Sequence, residues 1–259
     1  MSYPDPSALA KELCALAHVA GREILKFYHG GFQVREKADT SPVTEADEAA
    51  EAIILAALRT LTPDIPIVAE EEAASGKVVE VGDKPFWLVD PLDGTKEFIA
   101  RRDEFTVNIA LVVDGAPLVG VVYAPAQDVT YAAHGPGTAI VIAGAKPPRP
   151  ISARAVPADG AVAIGSRSHG DREKMQALLK SDRIASVIVS GSSIKFCLVA
   201  AGTADIYPRY GHTFEWDTAA GHAVLAAAGG SVRTLDGEDL IYAKPNFFNP
   251  QFIARGRDR

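Results

Sequence analysis

The sequence predicts a mixed chain in two parts, α+β followed by α/β, and three observations carry that expectation. Apolar residues recur at helical spacing in two segments of the first 61 residues. Three apolar, turn-punctuated segments follow between residues 104 and 135 and read as an antiparallel meander. Beyond a proline-rich stretch, short apolar strands alternate with helical patterns, as in α/β proteins.

Along residues 7–29, Leu9, Leu13, Leu16, Ala20, Ile24 and Phe27 fall at steps of three and four, which predicts an amphipathic helix. The stretch TSPVTEADEAAEAIILAALRTL opens on turn residues and predicts a second helix with Thr44 as its N-cap. PIVAEEE is a short strand running into three glutamates, and FWLVD a buried strand ending in Asp90. EFTVNIALVVDG, APLVGVVYAP and DVTYAAHG form the meander. Four prolines cluster in AKPPRPISARAVPADG, residues 145–160, and set a boundary near 150 between subdomains 1–150 and 151–259. After it AVAIG leads to the helix REKMQALLK, and ASVIVSG to SSIKFCLVAAG. ADIY leads to the helix DTAAGHAVLAAAGG, and SVRTL closes the series.

Composition narrows the function. The chain has 259 residues, 47% hydrophobic and 23% charged, ordinary for a soluble globular protein. A net charge of −7 argues against a broad nucleic-acid interface but leaves room for a local cationic pocket holding a small anion. Two cysteines, Cys14 and Cys197, sit in apolar helical patterns and read as buried reduced thiols. The start, MSYPDPSALAKEL, lacks a secretory pattern, and no apolar run nears the roughly 20 residues of a membrane span. A cytoplasmic protein is expected, as a monomer or a homodimer.

The chemistry concentrates in FWLVDPLDGTKEFI, residues 86–99. Asp90 and Asp93 lie close enough to repel unless a cation sits between them. Glu70 at the end of PIVA and Asp217 at the start of DTAAGHAV also fall at element ends. Together they would make an all-oxygen cage, which selects Mg²⁺ or Mn²⁺ over zinc and suits a two-metal displacement at phosphorus. Each acid also has a plain structural reading. Glu70, Glu71 and Glu72 read as a solvated charge run, Asp217 as a helix N-cap, and Asp47 as Thr44's capping-box partner. Gly94 lets the backbone approach a ligand, and the helix starting at Thr95 offers free N–H groups to an anion. Thr95 is placed to hold an attacking water, with Asp47 accepting its proton.

These residues resemble a known family. Glu70-Glu71, DPLDGT at 90–95 and WDTAAGHAV at 216–224, in this order, closely resemble the inositol monophosphatase superfamily of lithium-sensitive, magnesium-dependent phosphatases. More narrowly, DPLDGTKEFI, EFTVNIALV, VGVVYAP, SRSH, GSSIKFCLVA and YPR look like the CysQ-type 3′(2′),5′-bisphosphate nucleotidases, from about residue 40 to FFNP near 250. Lys96-Glu97 stands where the inositol phosphatases more often carry a residue and Asn.

The resemblance implies a layered αβαβα sandwich. It implies that Glu70, Asp90 and the Leu92 carbonyl hold one Mg²⁺, that Asp90, Asp93 and Asp217 hold a second, and that Glu70 and water hold a weaker third. Mn²⁺ would substitute, and Li⁺ and Ca²⁺ would inhibit. Asp47 and Thr95 match the pair that orients water. The third acid of AEEE, Glu72, departs from the relatives without removing a ligand. The implied substrate is a small nucleotide, adenosine 3′,5′-bisphosphate, hydrolysed to AMP and phosphate; its sulfated form, 3′-phosphoadenylyl sulfate, is a second candidate. This chemistry belongs to sulfur assimilation.

Gly94, Thr95, Lys96 and Asp217 are substrate-binding candidates, and for the second phosphate and the base the candidates are the loop Ser166-Arg167-Ser168-His169, Gly191-Ser192-Ser193 with Lys195, and Arg209. His169 also reads as a solvated loop histidine and Lys195 as structural. Tyr207 and Tyr210 are offered for stacking, with core packing the stronger expectation for either. An inositol or sugar phosphatase is the same-class rival, and a non-catalytic nucleotide- or anion-binding module is the rival of another class. Peripheral attachment to the inner membrane, assigned to some relatives, is not demanded by any amphipathic anchor.

Overall fold

The computed structural model describes residues 3–37, 40–77, 79–166, 177 and 183–257. Helix α1 (Pro6–Gly30) starts where the Asp5 carboxylate accepts the Ala8 N–H at 2.9 Å and Pro6 fixes the first turn. A small hairpin, β1 (Val34–Glu36) and β2 (Pro42–Thr44), leads into α2 (Glu45–Leu61). Thr44 and Asp47 close a reciprocal capping box there, as the sequence predicts.

The next strands are β3 (Ile67–Ala69), β4 (Phe86–Asp93), β5 (Thr106–Val113), β6 (Ala116–Ala124), β7 (Val129–Ala133), β8 (Ile140–Ala143) and β9 (Arg149–Pro150). They form a seven-stranded sheet in chain order, with β3 parallel to β4 and the rest antiparallel. Between β3 and β5 lie the short helices α3 (Glu70–Ala74) and α4 (Thr95–Ile99). The predicted meander is β5, β6 and β7. It continues through β8 and β9, which the sequence reading passes over because they are short and flanked by glycine and proline.

After residue 160 come β10 (Ala161–Ser166), β11 (Ile184–Ser190), α5 (Ile194–Ala200), β12 (Ile206–Arg209), β13 (Thr213–Phe214), α6 (Ala219–Ala227), β14 (Ser231–Thr234), β15 (Phe248–Asn249) and β16 (Phe252–Arg255). The second sheet has the order β11-β10-β12-β16-β14. The first three strands are parallel, as βα alternation requires, whereas β16 runs antiparallel between β12 and β14. SVRTL therefore does not close the series; β16 does. The helix expected at REKMQALLK falls almost wholly outside the described residues.

Strand period builds the layers. In β4, Trp87 and Val89 point into one core with Leu13, Ile24, Ile54 and Leu58 of α1 and α2. Phe86 and Leu88 point into the other, with Phe196 of α5, Val224 of α6 and Phe252 of β16. Helices α5 and α6 thus lie between the two sheets. Each such fully buried side chain contributes roughly 1.5–3 kcal/mol relative to exposure. The central contact is close: a Cβ at Gly120 on β6 would lie 2.6 Å from both the Ala220 carbonyl oxygen and the Ala223 Cβ of α6. The described layers run helix pair, sheet, helix pair, sheet, the frame of a layered sandwich. The larger sheet ends at Pro150 and the smaller begins at Ala161. Cys197 is buried and Cys14 half-buried; both are free thiols, Cys14 pushed up to about 11 by burial.

Candidate functional site

The site is built where β4 breaks off. Its pairing with β5 is regular to Asp90–Asn108, then shifts register before Asp93–Thr106. Asp90 is 1% exposed, and its carboxylate accepts the Leu92 N–H at 3.0 Å. Gly94 follows with φ of +94°, a left-handed turn in which a Cβ would also lie 3.1 Å from the Glu104 carbonyl oxygen. The turn delivers Thr95, whose hydroxyl donates to Asp47 Oδ1 at 3.1 Å and approaches the Leu92 carbonyl at 3.2 Å. Asp47 Oδ2 takes the Thr44 N–H at 2.8 Å and the Thr44 hydroxyl at 2.6 Å. The capping-box role and the Thr95 contact are therefore both present, on different oxygens of one carboxylate.

Glu70, Asp90, Leu92, Asp93, Gly94, Thr95 and Asp217 line one cavity of about 620 Å³. Burial drives Asp90 well above the usual carboxylate range, with further contributions from Glu70, Asp93 and Asp217. Asp217 is driven up likewise by burial, then by Asp93 and Glu70. Burial raises Asp93 to about 6. Four acids in one cavity, Asp90 buried and the other three half-buried, are unfavourable without cations or other donors. Their ligand atoms are all oxygens, so the set fits a hard divalent ion such as Mg²⁺.

Among the described residues no three His, Cys, Asp or Glu side chains stand in a ready ligand cluster. Protein donors hold several of the carboxylates instead. Asp217 takes the Phe214 N–H at 2.8 Å, Asp93 the Ser193 N–H at 2.5 Å, and Glu70 the Lys37 ammonium at 2.7 Å.

Two placements differ from the sequence reading. Glu70 does not end a strand: β3 stops at Ala69 and Glu70 is the first residue of α3. Asp217 does not cap α6, whose N-cap is Thr218; its carboxylate turns back to Phe214 instead. Nor are the three glutamates a free charge run. Glu70 and Glu71 share Lys37, and Glu72 pairs with Arg59 and Lys77.

The C-terminal half supplies the opposite wall. Ser166, Ser192, Ser193, Lys195 and Arg209 line the cavity, as does Lys96 across from them. The Ser193 hydroxyl donates to Asn108 at 2.7 Å, so Ser193 ties this wall to β5 as well as to Asp93. Lys195 is buried, its ammonium directed at the Ser190 and Ser192 carbonyls, and burial lowers it to about 8. Gly191 does not line the cavity. Its N–H donates to Glu104 at 2.9 Å, and a Cβ there would lie 2.7 Å from Glu97. Arg209 donates to the His212 carbonyl at 3.0 Å, while its Nε is buried without a hydrogen-bond partner. Tyr207 packs in the core against Phe196 and Phe252. Arg167, Ser168 and His169 lie outside the described residues.

Sequence reasoning missed three contributors. Lys37 arrives from the β1–β2 hairpin; burial lowers its pKa, but Glu70 and Glu71 more than restore it and hold it above the usual range. Glu51 accepts the Glu71 and Glu72 N–H groups at 2.8 and 2.9 Å, fixing the start of α3. Its place one turn after Asp47, on the apolar face with Ala50 and Ile54, was the available signal. The third is an aromatic group, Phe214, Trp216 and Phe248, on the cavity wall.

The model of the inositol monophosphatase family matches residues 5–255, and the chain belongs to that family. Within it, the chain is 46% identical over 253 residues to the 3′(2′),5′-bisphosphate nucleotidase CysQ of Escherichia coli O157:H7, covering 93% of this chain and 97% of that one. Among solved structures it resembles CysQ from Bacteroides thetaiotaomicron, with a TM-score of 0.80, 36% identity and 99% of each chain covered. The inositol monophosphatase of Anabaena matches with a TM-score of 0.75 at 27% identity, over 97% of this chain and 91% of that one.

Proposed function

We propose that this chain is a Mg²⁺-dependent 3′(2′),5′-bisphosphate nucleotidase that converts adenosine 3′,5′-bisphosphate to AMP and phosphate. The observation that carries the reading is the sharing of one cavity by Glu70, Asp90, Asp93, Asp217 and Thr95, with Asp47 bonded behind Thr95. Family membership and the similarity to CysQ nucleotidases support the reaction class. The family is one of metal-dependent phosphatases, generally using Mg²⁺.

Glu70, Asp90, Asp93, Asp217 and the Leu92 carbonyl would hold two to three ions, with Mn²⁺ a substitute and Li⁺ and Ca²⁺ inhibitors. When bound, Mg²⁺ supplies the positive charge that admits a phosphate to an acidic cavity and draws electrons from phosphorus. The rest falls to side chains. Thr95 donates to Asp47, which leaves its oxygen free to accept from a water and orient it. A proton leaving that water reaches Asp47 through Thr95. Ser166, Ser192, Ser193, Lys195, Lys96 and Arg209 form the wall that receives the rest of the substrate, with Arg167 and His169 proposed to join them.

In this reading residues 1–150 provide the water-orienting pair and most metal ligands. Residues 151–259 provide Asp217 and, apart from Lys96, the substrate wall. Among the described residues no helix is long and apolar enough to cross a membrane; a cytoplasmic enzyme is proposed. The test is phosphate release from adenosine 3′,5′-bisphosphate, 3′-phosphoadenylyl sulfate, inositol 1-phosphate and fructose 1,6-bisphosphate, with and without Mg²⁺ and Li⁺. The proposal requires Mg²⁺-dependent, Li⁺-sensitive preference for a nucleotide. Preference for inositol or sugar phosphates would replace it with the rival phosphatase.

A further inference from the structure

A large apolar side chain exposed in a cavity that also holds four acids calls for an explanation, and Phe248 is one: it is 40% exposed and lines the candidate site. It stands on the two-stranded ribbon of β13 and β15, directly opposite Phe214. The His212 ring lies 5.1 Å from it and the Phe214 ring 5.7 Å, the latter edge-on. Phe214 in turn stacks on Trp216, with ring centroids 4.6 Å apart and planes 12° apart.

The ribbon is held rigidly. The Asn249 amide, 3% exposed, donates its two N–H groups to the Phe214 carbonyl at 2.7 Å and the Thr218 hydroxyl at 3.1 Å, with the Thr213 hydroxyl 3.3 Å away. Arg209 fixes the His212 carbonyl at 3.0 Å. The Phe214 N–H reaches Asp217 at 2.8 Å, so the aromatic ribbon and the acid cluster are joined by one hydrogen bond.

Resting on the nucleotidase reading above, we propose that Phe248, with His212 beside it, is the platform on which the purine base of the substrate stacks, and so a determinant of nucleotide over base-free substrates. Three features favour a base over another occupant. The ring is supported by His212 and Phe214, it lines the same cavity as the acids, and that cavity, at about 620 Å³, is far larger than one phosphate group needs. Every base has a π-face, and stacking on an aromatic side chain is sequence-tolerant and strong. Ser192, Lys96 and Arg209 line the same cavity and are placed to receive the sugar and second phosphate.

The test compares kcat/KM for adenosine 3′,5′-bisphosphate with that for a base-free ribose bisphosphate, in wild type, Phe248→Ala, Phe248→Leu and Phe248→Trp. The proposal expects the nucleotide-to-ribose ratio to fall about 5- to 150-fold in Phe248→Ala, the range base–aromatic stacking is worth. The loss should appear mainly in KM. Phe248→Leu, which keeps apolar bulk without a π-face, should fall with it, and Phe248→Trp should restore the ratio. An unchanged ratio in Phe248→Ala, or a Leu variant as selective as wild type, overturns the platform. Wild-type protein that hydrolyses no nucleotide would instead overturn the reading on which it rests, so the two failures are distinct.

Discussion

Replacing Asp47 by asparagine separates catalysis from folding at one atom. Asparagine with its oxygen toward Thr44 keeps the capping box and turns an amide NH₂ toward Thr95, whose hydroxyl is left with the Leu92 carbonyl as its acceptor and with no base to take its proton. Two stability effects oppose each other. Burial pushes the Asp47 carboxyl up to about 6. A carboxyl pKa raised on folding costs stability above that value and nothing below the unfolded value near 3.9. At pH 8 the cost is about 3 kcal/mol, and asparagine removes it. The Thr44 hydrogen bonds already lower that carboxyl and are counted in it, so what stands against the gain is the charge-assisted bond to Thr95, worth about 1.5–3 kcal/mol. The two sides offset to within about 2 kcal/mol, so Tm should move by less than about 8 °C. Turnover should not survive in the same way. Removing a proton acceptor that acts in the transition state costs roughly 10²- to 10⁴-fold, or about 3–5 kcal/mol on the barrier. Phosphate release at saturating Mg²⁺ and substrate, alongside calorimetry of the same samples, reads both quantities. A kcat within about threefold of wild type would refute the role given to Asp47. So would a loss that merely tracks the unfolded fraction.

Three other predictions follow from the geometry. Mg²⁺ at about 100 times its Kd should stabilise the wild type by about 2.7 kcal/mol. Asp90→Asn should abolish both that increment and most turnover, yet melt above wild type in chelator because a carboxyl whose ionisation burial penalises is replaced by a neutral amide; an intact Mg²⁺ shift in the variant contradicts this. Arg154 donates to the fully buried Asp205 at 2.8 and 3.0 Å. Arg154→Met should lower urea-measured stability by about 3 kcal/mol, because it strands a buried carboxylate, while leaving kcat per folded molecule unchanged; a change under about 0.5 kcal/mol would show that the pair carries no stability. His222, hydrogen-bonded to the Tyr242 hydroxyl at 3.0 Å, is lowered to about 4 by burial, against a rise from Asp239 and a further lowering from Lys244. Its neutral form therefore stabilises the fold fully above about pH 6.5, and that stability is lost as pH falls toward 4. His222→Gln should flatten the acid limb of a Tm–pH curve, and an unaltered limb would contradict the assignment.

Much of this arrangement was legible in the sequence, for reasons that differ by element. Helices α1 and α2 announce themselves because each buries one face, which imposes period on apolar residues, and strands β4 to β6 because both faces are buried, which makes them nearly continuous apolar runs. Thr44 and Asp47 were readable because capping chemistry is local. Strands β8, β9, β13 and β15 were not, because two to four residues cannot display a period and their pairing is fixed by distant partners. Strand β16, also four residues long, was lost in the same way, and with it the antiparallel strand of the smaller sheet. The acids of the site could be picked out by type and position at element ends, but not their attachments. That Asp217 turns back to Phe214 and Asp93 reaches Ser193, 100 residues on, depends on how two sheets stack. Lys37 sits in a loop whose sequence gives no hint that it lands on Glu70 and Glu71. Phe248 was visible as a letter in FFNP, yet only the pairing of β15 with β13 sets it at the cavity rim.

Crystals of this protein grown with Mn²⁺ and measured at the manganese absorption edge test most directly whether the distant carboxylates converge to bind divalent ions. Convergence predicts anomalous peaks within about 2.5 Å of Asp90 and of at least one oxygen from Glu70, Asp93 or Asp217. Peaks confined to other surfaces, or no peak at the cluster with Glu70 still on Lys37 and Asp93 still on Ser193, would contradict it.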